Sequence, residues 1–429
     1  MASIISFFTI FRKSYFFTAL LVLVTLSASA QTTTISPYSR ISIGDADGAV
    51  FNRNFAMGRL AYGLSGSTNL NPYNPATYSQ LIWTNFEVGV MSKNYWLEAQ
   101  DQRQSANKTH FNHLALGFPV TPWWGVSFGM MPVSQVGYDF TITSSLKSDS
   151  SNVPFDNNYF GSGGLNKVYL GNGFNLKKKY YFGFNFAYYF GDMQYEEVID
   201  FDGFEDHLST GSLQRIEAGD IYLDFGFQYK FSVNKKWKGN LGLVFTPIQG
   251  ISAKESLFNF TYSRVSGRSR IIDTVSFKDN ASFSIVLPPK YGIGLILNNS
   301  DRLILGLDLD YVAWSLSNYN TLNGLNDVLT IRTGAEFTDK DNRFKLRMGV
   351  RYGKMPIVID GTKMDEMAIS SGVVIPFRSK DKLTITEMNI GAEIGQRGKN
   401  TTGLLLERFI NVHVGMTLNN KWFIKRKYD

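Results

Sequence analysis

Long runs of alternating apolar and polar residues dominate the chain from Thr84 onward. In residues 181–190 one face carries Phe182, Phe184, Phe186, Tyr188 and Phe190, and the other carries Gly183, Asn185 and Ala187. Successive side chains of a β-strand point to opposite faces, so this period predicts strands with one apolar face. Runs of about ten residues match strands that cross a bilayer, whereas soluble sandwiches use strands of about five or six. The pattern predicts an all-β fold, a transmembrane antiparallel β-barrel.

A large soluble β-protein, such as a jelly roll or a propeller, is the alternative. Charged residues such as Asp308, Arg347 and Arg351 occupy the polar face of several runs. They would lack water inside a sandwich, whereas in a barrel lumen they meet water or each other. We therefore favour the membrane barrel, with roughly fourteen to eighteen candidate strands. Long polar stretches, including residues 144–164 and 263–280, predict outer loops, and residues 421–428 are predicted to form the closing strand.

The first thirty residues have the organisation of a secretory signal peptide. Arg12 and Lys13 precede an uncharged apolar run at 15–26, and Ala28-Ser29-Ala30 has the small residues of a cleavage site. The run is shorter than the roughly 20 residues of a spanning helix, which disfavours a membrane anchor. We predict a signal peptide at 1–30, an N-terminal plug at 31–83 and a barrel at 84–429. Export of a barrel implies the outer membrane of a Gram-negative bacterium.

Composition and motifs argue against an enzyme. The chain has no cysteine, which excludes disulfides and a thiol nucleophile. His110 and His113 are three residues apart and fall on opposite faces of a strand, so they are poor joint metal ligands. A net charge of +7 is mild for this length and does not argue for nucleic-acid binding. No catalytic residue, cofactor or metal site is predicted.

Residues 31–83 differ from the rest, because they are rich in Ser, Gly, Asn and Pro and have weak periodicity. A periplasmic tail and a plug folded into the lumen are the two interpretations. The segment carries apolar residues that favour burial, and we therefore favour the plug. These residues are Ile41, Ile43, Phe51, Phe55, Met57 and Leu60.

A series of different short motifs is distributed along the whole mature chain. They include Ser36-Pro37-Tyr38-Ser39-Arg40, Asn74-Pro75-Ala76, Gly117-Phe118-Pro119, Leu287-Pro288-Pro289-Lys290-Tyr291-Gly292, Asp310-Tyr311-Val312-Ala313-Trp314 and Lys421-Trp422-Phe423-Ile424. In their order and spacing the chain resembles the FadL-like (OmpP1/TodX) family of hydrophobic-compound channels, in the version typical of Bacteroidota.

The resemblance implies a barrel of about fourteen strands with an N-terminal hatch in its lumen. It also implies a lateral opening at a kink in the third strand, which Pro132 or Gly137 would mark. Proline removes a ladder donor and glycine weakens a strand, although an ordinary turn and strand glycine explain both residues equally well. Asn74, Pro75 and Ala76 are predicted to form a tight turn that anchors the plug, with any gating role secondary.

A hydrophobic ligand would need apolar contacts and, if it carries a carboxylate, a cation. We predict contacts with Phe51, Phe55, Met57 and Leu60 of the plug, since each buried CH₂ contributes about 0.8 kcal/mol. Arg347 and Arg351 are the candidate cations. Alternatively, these arginines pair with lumen acids such as Asp308, Asp310 or Glu393.

Two functions follow from the sequence. The one that we favour from sequence is passive uptake of long-chain fatty acids or other hydrophobic small molecules through the plugged lumen and the lateral opening. The other is a role as an accessory or scaffold subunit of a larger outer-membrane complex, either protein secretion or barrel assembly machinery. The predicted partners are the bilayer, a hydrophobic ligand and envelope-complex proteins. A transporter needs a continuous apolar cavity that reaches a wall gap, whereas a scaffold tolerates a sealed, charge-packed lumen.

Overall fold

A computed structural model describes residues 36–46, 48–100, 102–148, 151–201, 208–265, 268–299, 302–318, 325–359, 361–379, 384–401 and 403–421. The predicted signal peptide lies outside these residues. The strand segments are β1 (Thr84–Ala99), β2 (Gln102–Thr121), β3 (Trp124–Pro132), β4 (Val136–Ser148), β5 (Ser151–Leu176), β6 (Tyr180–Asp200), β7 (Ser209–Ser232), β8 (Trp237–Thr246), β9 (Gln249–Val265), β10 (Arg268–Leu287), β11 (Lys290–Asn299), β12 (Leu303–Val312), β13 (Val328–Thr338), β14 (Lys345–Ile359), β15 (Thr362–Arg378), β16 (Thr384–Gly398) and β17 (Leu406–Asn420).

These segments form one closed antiparallel barrel. The pairs β3 and β4, β8 and β9, and β10 and β11 are each one wall strand with a break, so fourteen strands make the wall. β17 pairs with β1 from Thr84↔Asn420 to Glu98↔Leu406 and closes the ring. The predicted barrel and its strand number are confirmed. β17 closes the ring among the described residues, and the closing strand predicted at 421–428 lies outside them except for Lys421.

Apolar side chains cover the outer surface of the wall. On β6, Phe182, Phe186 and Tyr188 are exposed, whereas Asn185 and Ala187 between them are buried. In a bilayer the exposed rings contact lipid, and the inward polar groups contact the lumen. The alternation in the sequence thus indicates which residues face the bilayer and which face the lumen.

The loops predicted at 144–164 and 263–280 are wrong. β4 pairs with β5 as far as Ser148↔Ser151, and β9 pairs with β10 as far as Val265↔Arg268. These hairpins carry polar residues on both faces, so their strands lack the apolar alternation that marks the membrane-embedded part. Connections at the opposite end of the barrel are short turns, such as the one between β5 and β6. Short turns mark the periplasmic end and long hairpins the outer end.

Helices are short and belong mainly to the segment before β1. They are the α-helix Asn52–Phe55 and the 3₁₀ helices Pro37–Arg40 and Pro75–Gln80, with a further 3₁₀ turn at Trp314–Leu316. Within the described part of the chain, no helix combines the length and apolar character needed to cross a bilayer.

The wall is incomplete where the third strand breaks. β3 ends at Pro132 and β4 begins at Val136, and only β3 pairs with β2. Residues 102–113 of β2 pair with β1, and β4 pairs with β5. Among the described residues, no backbone pairing joins these facing edges of β2 and β4. The outer half of the wall therefore has a seam between them.

A second discontinuity lies between β7 and the strand formed by β8 and β9. Residues 219–224 of β7 have no ladder partner on this side, where Pro247 interrupts the neighbouring strand. Gln249 bridges the break with its side chain, which accepts from Leu223 N at 2.8 Å and donates to Leu223 O at 3.1 Å. A side-chain amide thus replaces one backbone pair of the ladder.

Replacing Gln249 with alanine is expected to destabilise this break by about 1–3 kcal/mol, because Leu223 loses both polar partners. Faster hydrogen exchange at Leu223, together with a lower urea midpoint, would be the measured result. The control is Gln214→Ala, which removes a side-chain bond to Glu255 outside the break. Equal exchange at Leu223 in both variants would contradict the assigned role.

Candidate functional site in the plugged lumen

The described residues between 36 and 83, called the plug below, lie inside the ring of strands. Near the outer end, Ser36 N donates to Gly137 O at 2.9 Å, and the Tyr38 hydroxyl bonds Leu405 O. Near the periplasmic end, the Tyr78 hydroxyl donates to Asn185 at 2.9 Å. The plug therefore runs through the lumen from the outer end toward the periplasm.

Glycines on the inner wall leave space for the plug backbone. A Cβ on Gly242 would lie 1.9 Å from Tyr62 O, and one on Gly349 would lie 2.0 Å from Gly58 N. Contacts this short are impossible, so any side chain at these positions would displace the plug. Gly242 and Gly349, on the polar side of their strands, thus give the plug backbone the room to pack against the wall.

The predicted anchor turn lies against two such glycines. Asn74 donates from Nδ2 to Tyr62 O at 2.7 Å and accepts from Ala76 N at 3.2 Å. Pro75 lies against Gly183, where a Cβ would come within 2.3 Å of its carbonyl carbon. The turn therefore joins the plug's own backbone to the wall, and its role in gating stays a prediction.

Buried ion pairs connect the plug to one side of the wall. Arg53 of the plug contacts Glu336 at 3.0 Å, and Arg347 contacts the same carboxylate at 2.7 Å. Backbone donors of the plug also reach wall carboxylates. Asp308 accepts from Ala61 N at 2.6 Å and from Tyr62 N at 2.9 Å.

A second ion cluster lies beside the first. Glu393, whose side chain is fully buried, contacts Arg59 of the plug at 2.9 Å and Arg351 of the wall at 3.1 Å. Arg351 also contacts Glu366 at 2.5 Å. Both predicted ligand cations thus have carboxylate partners. Of the three lumen acids named from sequence, Glu393 is the one that contacts either arginine.

The four predicted apolar contact residues pack between plug and wall. Phe51 stacks on His113 with ring centroids 4.0 Å apart, and Phe55 stacks on His413 at 5.1 Å. Met57 and Leu60 are buried with Ile296 and Ile304 of the wall. All four are fully buried, and none of them lines the lumen cavity. Within the described residues, no group of three His, Asp or Glu side chains could hold a metal ion.

The plug also covers the inner side of the seam. Asp45 and Gln135 exchange backbone hydrogen bonds of 2.8 and 3.0 Å within the break of the third strand. Across the seam, Asn112 of β2 donates to Val50 O at 2.7 Å. The predicted kink marker Pro132 is the last residue of β3, and its carbonyl accepts from Ala49 N at 3.1 Å. The predicted marker Gly137 lies just inside β4.

Glycine permits the break itself. Gly164 has φ +141°, and a Cβ there would lie 2.3 Å from Ser134 O. Only glycine fits this conformation and this approach. Residues 161–164, at the end of the loop predicted at 144–164, are part of β5 and support the broken strand.

A cavity of about 420 Å³ lies in the lumen. It reaches the third-strand break at Met131–Val133, the second discontinuity at Thr246, and the break between β10 and β11 at Pro288. Aromatic side chains line part of it, including Tyr62, Tyr73, Tyr189, Tyr222 and Trp314. Charged side chains line the rest, including Lys167, Asp224, Lys290, Asp310, Arg332 and Arg351. The cavity is amphipathic, with no continuous apolar lining.

The lumen environment shifts the pKa values of several plug side chains, among them Asp45 and Tyr38. Burial alone would raise the pKa of the Asp45 carboxyl, but Arg397 and Lys93 outweigh it and hold the pKa below the usual value. Burial raises the pKa of Tyr38 to about 12. Asp45 is therefore an anion that pairs with Arg397 at 2.9 Å, and Tyr38 is a neutral hydrogen-bonding group.

Sequence reasoning missed Arg53, Arg59 and Glu336. One signal could have found the arginines, because they are the only charged residues between Gly48 and Trp83. Isolated cations in a segment predicted to be buried require carboxylate partners. Nothing in the sequence singles out Glu336 or Asn112, because their partners are far away in the chain.

Several solved structures have the same fold. A FadL homologue from Pseudomonas aeruginosa has a TM-score of 0.57 and 13% identity, covering 87% of this chain and 98% of that one. The Pseudomonas putida toluene transporter TodX has a TM-score of 0.54 and 13% identity, covering 92% and 100%. The Ralstonia pickettii toluene transporter TbuX has a TM-score of 0.55 and 12% identity, covering 85% of this chain and 97% of that one. No curated protein matches the sequence.

The resemblance to FadL-like channels is thus confirmed at the level of the fold, in an outer-membrane β-barrel. A family model adds a more specific assignment, because it matches residues 11–429 and so includes the plug and the whole wall. This chain belongs to the BamG family.

Proposed function

We propose that this protein is an accessory subunit of a larger outer-membrane complex, in which the sealed barrel is a scaffold. Membership of the BamG family over residues 11–429 is the observation that carries this proposal. Of the two machineries considered from sequence, the family's designation favours barrel assembly. The solved channels share 12–13% identity with the chain and support a common fold alone.

The lumen geometry supports a scaffold. Arg53 and Arg59 join the plug to Glu336 and Glu393 in contacts that are largely buried. Separating such a pair leaves a buried charge without its partner and costs about 3–5 kcal/mol. Opening the lumen through the plug would break both pairs, so the resting barrel is closed. Export by the predicted signal peptide 1–30 to a Gram-negative outer membrane is part of this proposal.

The proposal is tested by purifying the full chain from its own outer membrane in mild detergent. Native mass spectrometry is expected to find protein companions in fixed stoichiometry, and depletion of the chain is expected to lower the amount of assembled outer-membrane proteins. A monomeric barrel, with normal levels of other barrels after depletion, would overturn the proposal.

Passive uptake of a hydrophobic small molecule is the second candidate. The seam between β2 and β4 favours it, because the lumen cavity reaches Pro132 at that break. Arg351 lines the cavity and would be the partner of a ligand carboxylate, in competition with Glu393. The same purification tests this candidate, since a lipid-like molecule bound in place of protein companions would favour uptake.

A further inference from the structure

Lysines crowd one part of the periplasmic end. Lys177, Lys178 and Lys179 form the turn between β5 and β6. The turn between β7 and β8 carries Lys235 and Lys236, and Lys238 follows in β8. All six are exposed. We call these six residues the lysine patch.

The turn between β5 and β6 contacts β7 just before the turn between β7 and β8 begins, so the lysine patch lies on one part of the rim. Lys230 N, near the end of β7, donates to Lys179 O at 2.9 Å. The ammonium of Lys179 lies 5.2 Å from the ring centroid of Tyr229 on the neighbouring strand. Six cations on one surface repel each other unless an external anion compensates them.

No acidic residue close in sequence to the lysine patch is available to neutralise its charge. Residues 157–191 and 225–254, which include both turns, contain no Asp or Glu. In the turn between β13 and β14, Asp339 and Asp341 do occur. Arg343 of the same turn contacts them at 3.1 and 3.0 Å. Within the described residues, none of the six lysines forms an ion pair with a carboxylate.

The strand face on which Lys238 lies favours a protein partner over lipid head groups. Lys238 lies on the same strand face as Asn240, which donates to Gly63 O of the plug at 2.6 Å. That face belongs to the lumen, so exposed Lys238 borders the mouth of the barrel rather than the bilayer. Across the mouth, Arg378 follows outward-facing Phe377 and is also exposed toward the lumen side. Lipid phosphates stay outside the wall, whereas a polypeptide over the mouth reaches both positions.

We propose that the lysine patch binds an acidic segment of a periplasmic protein subunit. This inference rests on the proposed function, since it names the chemistry of one partner in the complex. Asp and Glu carboxylates of the partner would neutralise the patch and set its orientation on the barrel. Binding would weaken with salt, because the Debye length falls from about 10 Å at 0.1 M to about 3 Å at 1 M.

Carbodiimide coupling tests the contact directly, because it joins a lysine amine only to a carboxylate that touches it. The reaction is run on the full-length protein in native outer membranes, and the products are mapped by mass spectrometry. The expected products join Lys177–Lys179 or Lys235–Lys236 to Asp or Glu of a companion protein. A variant with Lys177→Glu, Lys178→Glu and Lys179→Glu is expected to retain about a tenth or less of that companion.

The matched control reverses two exposed cations at the outer end, Arg270→Glu and Lys363→Glu. It is expected to retain the companion fully, and both variants should keep the heat-modifiable mobility of a folded barrel. A companion that stays on the patch variant, without coupling products at the patch, would overturn the inference and leave the proposed function intact. A wild-type barrel without companions would overturn both. Loss of anionic phospholipid alone from the patch variant would assign the patch to lipid and overturn the inference.

Discussion

The variant Glu393→Ala is expected to lower the free energy of unfolding by about 3–5 kcal/mol. Its carboxylate is fully buried and contacts Arg59 of the plug, Arg351 of the wall and the Asn411 amide at 3.1 Å. Arg351 keeps Glu366 in the variant, whereas Arg59 loses the carboxylate that ties it to the wall. The measurements are the urea midpoint in detergent micelles and the rate at which protease cleaves the plug.

Glu217→Ala is the matched control, because its pair with Arg215 spans 3.2 Å at a half-exposed site. An exposed pair contributes at most about 1 kcal/mol, so little change is expected. A double variant, Arg59→Met with Glu393→Met, is expected to recover part of the loss, since both partners of the pair become apolar. Equal effects of Glu393→Ala and Glu217→Ala would show that the buried cluster does not hold the plug.

Replacing Gly242 with valine is expected to unseat the plug and make the closed barrel conduct ions. The new Cβ would lie 1.9 Å from the carbonyl oxygen of Tyr62, and backbone on both sides prevents adjustment. Overpacking in a core costs about 1–3 kcal/mol even where side chains can shift, so displacement of the plug is the expected relief. Conductance of single barrels in a planar bilayer measures the result.

Gly250→Val is the control for this substitution. A Cβ there meets only the hydroxyl of Ser284 at 2.8 Å, which is the end of a side chain and can rotate away. This barrel is expected to remain as closed as the unmodified one. If Gly242→Val also stays closed, Gly242 does not give the plug backbone the room to pack against the wall.

The barrel could be predicted because the residue pattern within each strand depends on what that strand's two faces contact. On β6 the alternation of Phe182, Gly183, Phe184 and Asn185 follows from lipid on one side and the plug on the other. The outer hairpins could not be predicted as strands, because water lies on both of their faces and no alternation results. The number of fourteen strands followed from family resemblance, since the breaks after Pro132, Thr246 and Leu287 split single strands.

The candidate site was harder to predict than the wall. Arg351 and Glu393 were both named from sequence, but their contact depends on the register of three neighbouring strands. The partners of Arg53 and Gln135 come from distant parts of the chain, and a single sequence carries no signal for such pairs. The apolar plug residues were recognised as buried, but sequence cannot tell packing against a wall from lining a cavity.

The path of the plug through the lumen has a consequence for the order of folding. The plug precedes β1, and yet Ser36 bonds Glu407 across 371 residues and Arg59 meets Glu393 across 334. These contacts form only after the last two strands are present, because Glu393 lies in β16 and Glu407 in β17. Closing such long loops is slow, because many residues must be ordered before any contact compensates for them. The plug therefore reaches its final position only after the ring of strands is complete. A chain that stops before β16 would leave its N-terminal segment accessible to proteases.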